Sequence, residues 1–215
     1  MRGGHHLVFL GAAQSFAHYS AVLKKMGLNL PACVDSGQVV FFDLFSRPFD
    51  CNTFDNLPPS QAVPNTCPAK VPKKLQSLSI TEDAGHLFAK IHKSLRTLSG
   101  KQTLVLFDNV NMLLTGGDSP LDLIESLNEA TSLAFSFPAT SVALGVNRDL
   151  IFDGEDFYRE LKRSEFDHVY EVARNVSGYT KDVHGQLNII RQGTVKNVKF
   201  RLTENKVEVF EHFVI

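Results

Sequence analysis

The hydrophobic and polar positions of the chain form two patterns, one before about residue 165 and another after it. The first contains short apolar runs, and the clearest is Thr103–Asp108, in which four apolar residues precede a carboxylate. A strand with one face in water alternates apolar and polar residues, so an unbroken run predicts a parallel strand covered by helices on both faces. Similar runs predict further strands at His6–Gly11, Gln38–Leu44 and Thr140–Val146.

Helical periodicity and capping signals occupy the segments between these strands. Ser15 is a candidate N-cap for a helix from Phe16 to Met26, whose predicted core face also holds Tyr19 and Leu23. Further helices are predicted after Thr81, at Ser119-Pro120 and around Asp156–Lys162. The helix after Thr81 has a predicted buried face of Leu87, Phe88, Ile91, Leu95 and Leu98, beside which Lys90, Lys93 and Arg96 are expected to form a solvated surface.

The last fifty residues have strands separated by turns that are too short for helices. These strands are predicted at Val169–Ala173, Gln186–Arg191, Val195–Leu202 and Val207–Phe213. Polar residues alternate with apolar ones along the third, which indicates an antiparallel meander with one face in water. The complete pattern predicts an α/β, RecA-like fold with a mostly parallel central sheet, helices on both faces and an antiparallel C-terminal meander.

A proline-rich stretch interrupts the first pattern between about residues 45 and 80. It holds six of the nine prolines and few apolar residues. Because proline removes backbone donors and disfavours helix at the preceding residue, we predict a poorly ordered insertion within one RecA-like domain that spans residues 1–215.

Composition narrows the functional classes. The net charge of −1 gives no general sign of nucleic-acid binding, and the spacing of the three cysteines fits neither a zinc ribbon nor a redox pair. We find no signal peptide and no apolar run near 18 residues, so a soluble intracellular protein without membrane contact is expected.

Asp108 is the main candidate for chemistry, since ligands meet the carboxyl ends of parallel strands. It could be the metal-binding carboxylate of a RecA-like ATPase, or a strand-end residue that caps the next turn. The phosphate-binding motif G-x-x-x-x-G-K-[ST] is absent: Gly100-Lys101 is followed by Gln102, and Leu95 stands in place of the first glycine. No metal-ligand spacing is present either, so neither a cofactor nor a metal is predicted.

An α/β hydrolase is the other enzymatic alternative. Ser15, Asp108 and His184 occur in the chain order of a hydrolase triad. The nucleophile elbow needs small residues in G-x-S-x-G, whereas residues 13–17 read Ala-Gln-Ser-Phe-Ala, with a phenylalanine at the tight turn. Both enzymatic alternatives are therefore disfavoured by the sequence.

Two segments resemble the family of Elongator complex protein 6. One is Gln14–Leu28, which begins Gln-Ser-Phe-Ala-His-Tyr-Ser, and the other is Gly178–Arg191, which begins Gly-Tyr-Thr-Lys-Asp-Val-His-Gly-Gln. The resemblance implies a non-catalytic RecA-like subunit that forms a hetero-hexameric ring with Elongator subunits four and five. It further implies association with the remaining Elongator subunits, tRNA binding in support of wobble uridine modification at the 5-position, and a cytoplasmic location, while a nuclear one stays open. The family carries a strand and helix before the segment that starts here at His6, so the resemblance also implies that this N-terminal unit is missing and that a sheet edge is unpaired.

Basic residues suggest where tRNA could make contact. Seven cations and two acids lie between Arg174 and Lys206, and we select Lys181, Lys199 and Arg201 as candidate contacts. In RecA-like rings the loops after the central strands face the pore. Here these loops are Asn111–Asp118 and Asn147–Asp156. Arg148 lies in the second loop and is therefore a further candidate. The alternative is a charged face in water or against a partner subunit.

Overall fold

The computed structural model describes residues 4–46, 72, 74–78, 84–111, 120–147, 166–174, 182–191, 194–204 and 206–210. The chain divides into two compact units, Met1–Phe157 and Tyr158–Ile215. The helix predicted around Asp156–Lys162 and most of the proline-rich stretch lie outside the described residues. None of the described helices is long and apolar enough to cross a membrane.

The first unit is built on a five-stranded parallel sheet. Its strands in chain order are β1 (His6–Gly11), β2 (Val39–Asp43), β3 (Gln76–Ser77), β4 (Thr103–Phe107) and β5 (Thr140–Leu144). They pair in the spatial order β3-β2-β1-β4-β5, and every pairing is parallel. The chain therefore leaves β1 toward one side of the sheet and later returns to its other side. The gap between the carboxyl ends of β1 and β4 is a topological switch point, the usual position for a ligand in such sheets.

Two short helices cover one face of this sheet. They are α1 (Phe16–Lys25), capped by the Ser15 hydroxyl, and α2 (Leu30–Ser36), capped by Asn29 and ended by a left-handed Gly37. An aromatic cluster forms beneath them from Phe9, Phe16, Tyr19 and Phe41 with edge-to-face ring contacts. The predicted core face of α1 is confirmed except for Met26, which is 57% exposed.

Two longer helices belong to the same unit, α3 (Ala84–Thr97) and α4 (Pro120–Ser136). All five apolar residues predicted to be the core face of α3 are buried. Phe88 of α3 contacts Phe107 of β4, and α4 packs against β5. Phe9 of β1 is paired with Leu106 of β4, the residue before Phe107. Because successive residues of a strand point to opposite faces, Phe107 and Phe9 lie on opposite faces of the sheet. Helices therefore cover both faces.

Two details of this unit differ from the sequence predictions. Leu104 of β4 is 39% exposed, so the complete coverage expected from the apolar run is wrong at that position. The C-terminal bound of the predicted insertion is also wrong, because Gln76–Ser77 extends the sheet as β3 and Leu78 is buried. A two-residue strand is too short to leave a periodic signal in the sequence.

The second unit contains a four-stranded antiparallel sheet, as predicted. Its strands β6 (Val169–Arg174), β7 (Gly185–Arg191), β8 (Thr194–Leu202) and β9 (Val207–Phe210) pair in chain order. Gly185 is required at the start of β7, since a Cβ there would lie 2.6 Å from both the Ala173 carbonyl oxygen and the Phe200 ring. The register places Lys199 and Arg201 on one face and Val198, Phe200 and Leu202 on the other.

Candidate functional site

The Asp108 carboxylate lies at the switch point and is engaged by the chain itself. The Ala12 N–H donates a hydrogen bond of 2.8 Å to Oδ1, and the Ala13 N–H donates one of 3.1 Å to Oδ2. The Tyr19 hydroxyl donates a short hydrogen bond to Oδ2 as well. These contacts join the end of β4 to the loop after β1 and to α1. We call Asp108, Ala12, Ala13 and Tyr19 the strand-end clamp.

Burial and the Asp108 carboxylate together control the ionisation of Tyr19. Partial burial raises the pKa of the Tyr19 hydroxyl well above its ordinary value, and the hydrogen bond to Asp108 raises it further. The charge of Asp43, a buried residue at the end of β2, acts in the same direction. Tyr19 is therefore a neutral donor to a carboxylate that already accepts two backbone hydrogen bonds.

The clamp answers the question that the sequence left open for Asp108. A metal-binding carboxylate must present oxygen lone pairs to the ion, whereas both oxygens here accept hydrogen bonds from the protein. Asp43 is likewise committed, because it accepts hydrogen bonds from the Phe45 and Ser46 N–H groups and from the Ser46 hydroxyl. Within the described ranges, no group of three His, Cys, Asp or Glu side chains could hold a metal ion. The geometry disfavours metal binding, and the structural role differs from the predicted one, because Asp108 holds the loop after β1 and Tyr19 instead of capping the turn after β4.

A second connection joins the loops that follow β4 and β5. The Asn111 side-chain amide donates to the Asn147 carbonyl oxygen at 3.0 Å, and its Oδ1 accepts from the Asn147 N–H at 2.7 Å. Gly145 permits this approach, since a Cβ there would lie only 2.2 Å from the Asp108 carbonyl oxygen. Asn111 and Asn147 begin the two loops that the sequence analysis assigned to the ring pore.

Sequence reasoning missed the roles of Tyr19, Asn111 and Gly145. Tyr19 was assigned to a helix core face, which is correct for its ring but gives no sign of the hydroxyl contact 89 residues away. An asparagine four residues beyond the end of β4 was the available signal for Asn111, but asparagine is common in turns.

The candidate tRNA contacts separate into two groups. Arg148 and Lys181 lie outside the described residues. Lys199 and Arg201 share the polar face of the second sheet, where the Arg201 guanidinium donates hydrogen bonds to Glu208 and its Nη1 lies 3.7 Å from Asp182. Lys206 and Arg201 hold the pKa of the Glu208 carboxyl below its ordinary value. Arg201 therefore faces carboxylates within its own unit.

The hydrolase triad is wrong, because the three side chains have other roles. Ser15 Oγ caps α1 by accepting the His18 N–H at 3.3 Å, and Asp108 belongs to the strand-end clamp. His184 Nδ1 accepts the Leu202 N–H at 2.8 Å. A catalytic histidine must instead donate its Nδ1–H to the triad carboxylate.

Comparison with known sequences relates the chain to one family. Residues 1–212 match the family model described as Elongation complex protein 6. The chain is similar to Elongator complex protein 6 of Xenopus tropicalis, with 30% identity over 99% of this chain and 77% of that protein. The Xenopus laevis protein of the same name is 26% identical over the same shares, and the human one is 25% identical over 85% of this chain and 67% of its own length.

Solved structures confirm the fold class. An uncharacterized protein of Pyrococcus horikoshii, crystallised with an unknown peptide, matches 96% of this chain and 79% of its own with a TM-score of 0.58 and 11% identity. A KaiC-like protein of the same archaeon matches 96% of this chain and 77% of its own with a TM-score of 0.54 and 10% identity. The fold is therefore α/β and RecA-like, with a parallel sheet between helices and an antiparallel four-stranded sheet.

Proposed function

Because the chain belongs to the family of Elongator complex protein 6, we propose that it is a non-catalytic subunit of the Elongator complex. In this proposal two copies of the chain form a hetero-hexameric RecA-like ring with two copies of subunit four and two of subunit five. The ring binds tRNA, associates with the remaining Elongator subunits and supports modification of the wobble uridine. The observation that carries the proposal is the family match over residues 1–212.

The strand-end clamp supports the non-catalytic part of the proposal. Phosphoryl transfer needs a carboxylate that holds the metal and a glycine loop with a lysine that holds the phosphates. The sequence lacks that loop motif, and the Asp108 oxygens accept hydrogen bonds from Ala12, Ala13 and Tyr19. We therefore expect the chain to act through assembly. We place it in the cytoplasm and also in the nucleus, which imaging of a fluorescently tagged chain tests.

The pairing of Asn111 with Asn147 supports a role for the loops after β4 and β5. Two hydrogen bonds hold the starts of these loops together, so both leave the sheet from one fixed point. If these loops face the ring pore, Arg148 is placed directly after that point. We retain Arg148, Lys181, Lys199 and Arg201 as proposed tRNA contacts.

Co-expression with subunits four and five, followed by native mass measurement, tests the assembly. We expect one complex with two copies of each subunit and none when any one subunit is omitted. The purified complex should retain tRNA on a sizing column. Recovery of this chain alone in the presence of both partners would contradict the proposal.

A further inference from the structure

An open cleft between α3 and α4 has the composition of a nucleic-acid site. It has a volume of about 670 Å³ and is lined by Ala89, His92, Lys93, Arg96 and Glu129. Four of these five residues come from α3, at spacings that place them on one side of the helix. Ala89 adds no bulk to the wall, so the polar surface consists of the two cations, the His92 imidazole and the Glu129 carboxylate.

The two cations of the cleft have no carboxylate partner within the part of the chain that the structure describes. Among the described residues, neither Lys93 nor Arg96 lies within ion-pair distance of an acid, whereas Arg201 in the second unit contacts Glu208 and Asp182. Lys93 and Arg96 are three residues apart, which corresponds to an axial rise of about 4.5 Å along α3.

The third lining group supplies an aromatic surface. The His92 ring is half-buried, and its centroid lies 5.4 Å from that of Phe137, which follows α4. This contact fixes the imidazole at the side of the cleft. Aromatic rings next to cations are the usual combination for unpaired RNA, in which a base stacks on the ring and the phosphate meets the cation.

We propose that the α3–α4 cleft binds an unpaired stretch of RNA, with phosphates on Lys93 and Arg96 and a base on His92. The inference deepens the proposed function, since it rests on RNA as the ligand and adds a second contact surface. Glu129 opposes the phosphates from the α4 side of the cleft. Its carboxylate therefore limits the affinity, and its removal should increase it.

Binding of a short fluorescein-labelled unpaired RNA tests the proposal, both with the full chain and with its assembly with subunits four and five. Each phosphate contact on a single strand contributes about 0.7 to the salt slope. When salt rises from about 50 to 200 mM, the affinity of the double variant Lys93→Gln/Arg96→Gln should therefore fall by a factor about sevenfold smaller than that of the wild type. The matched control is Lys24→Gln/Lys25→Gln, which removes two exposed cations from α1 and should leave the slope unchanged.

Two further variants separate binding from folding. Glu129→Gln should bind the RNA more tightly, a gain that a misfolded protein cannot produce. His92→Ala should weaken binding by about fivefold or more, and His92→Phe should restore it because a phenyl ring also stacks. Tighter binding of a phosphopeptide than of RNA, with the same dependence on Lys93 and Arg96, would overturn the assignment to RNA.

The outcomes distinguish this inference from the proposed function. If the ring assembles and binds tRNA but both double variants keep the wild-type slope, the cleft inference is wrong and the function stands. If no ring forms but the chain binds RNA through Lys93 and Arg96, the assembly proposal fails and the cleft stands. If neither the chain nor the assembly binds RNA, both are wrong.

Discussion

Replacing Asp108 by alanine should destabilise the first unit strongly, because three donors lose their acceptor together. These are the N–H groups of Ala12 and Ala13 and the hydroxyl of Tyr19. A hydrogen bond to a charged group contributes about 1.5–3 kcal/mol, but the site is only partly buried and water can replace some of the loss. We therefore expect the free energy of unfolding to fall by about 3–5 kcal/mol, a large share of the stability of an ordinary domain.

Urea unfolding followed by circular dichroism measures this loss. Tyr19→Phe removes one of the three donors and should cost about 1–2 kcal/mol. In the double variant Asp108→Ala/Tyr19→Phe the two losses should not add, because both single variants break the same hydrogen bond. Asp167→Ala removes an exposed carboxylate from the second unit and should change the free energy of unfolding by less than about 0.5 kcal/mol.

The Asp108→Ala variant also distinguishes a structural role of Asp108 from a role in nucleotide binding. If Asp108 is structural, Mg²⁺-ATP should leave the melting temperature of the wild-type chain unchanged, and Asp108→Ala should leave any trace ATPase of the preparation unchanged. Stabilisation of the wild type by Mg²⁺-ATP that disappears in the variant would refute the reasoning, as would a loss of stability below about 1 kcal/mol.

Four further predictions concern neighbouring residues. Because its pKa is raised in the fold, Tyr19 contributes stability that is complete below pH of about 10 and is lost as the pH rises from there toward the folded pKa; Tyr19→Phe should flatten this alkaline decline in melting temperature. Gly145→Ala should lower the melting temperature, or prevent folding, because its Cβ would collide with backbone; Gly27→Ala should lower it less, because it strains a φ of +81° but adds a Cβ that meets nothing. Asn111→Asp should destabilise more than Asn111→Ala, since a carboxylate would face the Asn147 carbonyl oxygen; urea midpoints decide the order. Glu208→Gln should raise the tRNA affinity of the assembled ring if Arg201 contacts tRNA, and an unchanged affinity would count against that contact.

The parallel sheet could be predicted from the sequence because its central strands are short runs of consecutive apolar residues. The carboxyl-end position of Asp108 followed from the same argument. The helix α2 could not be predicted, since seven residues after Asn29 give too short a window for helical periodicity. Its boundaries depend instead on local caps and on burial of Leu30 and Val34 under the sheet.

The candidate site was less predictable than the fold. Its contacts join residues that are distant in the chain, such as Tyr19 with Asp108 and Asn111 with Asn147, and no local pattern encodes such a pair. From the sequence, Lys93 and Arg96 were predicted to belong to a solvated helix surface. That interpretation depends on what stands opposite the helix, which only the packing of α3 beside α4 reveals.

The strand-end clamp also has an evolutionary consequence. A carboxylate that holds two backbone amides and a hydroxyl contributes to folding, whether or not the protein ever meets a nucleotide. An ancestor that lost its phosphate loop would therefore keep the aspartate, and a descendant could not recruit it for a metal until some other acceptor took over the amides of Ala12 and Ala13. The persistence of an acid at this strand end in a relative would then record the history of the fold and not a surviving enzyme.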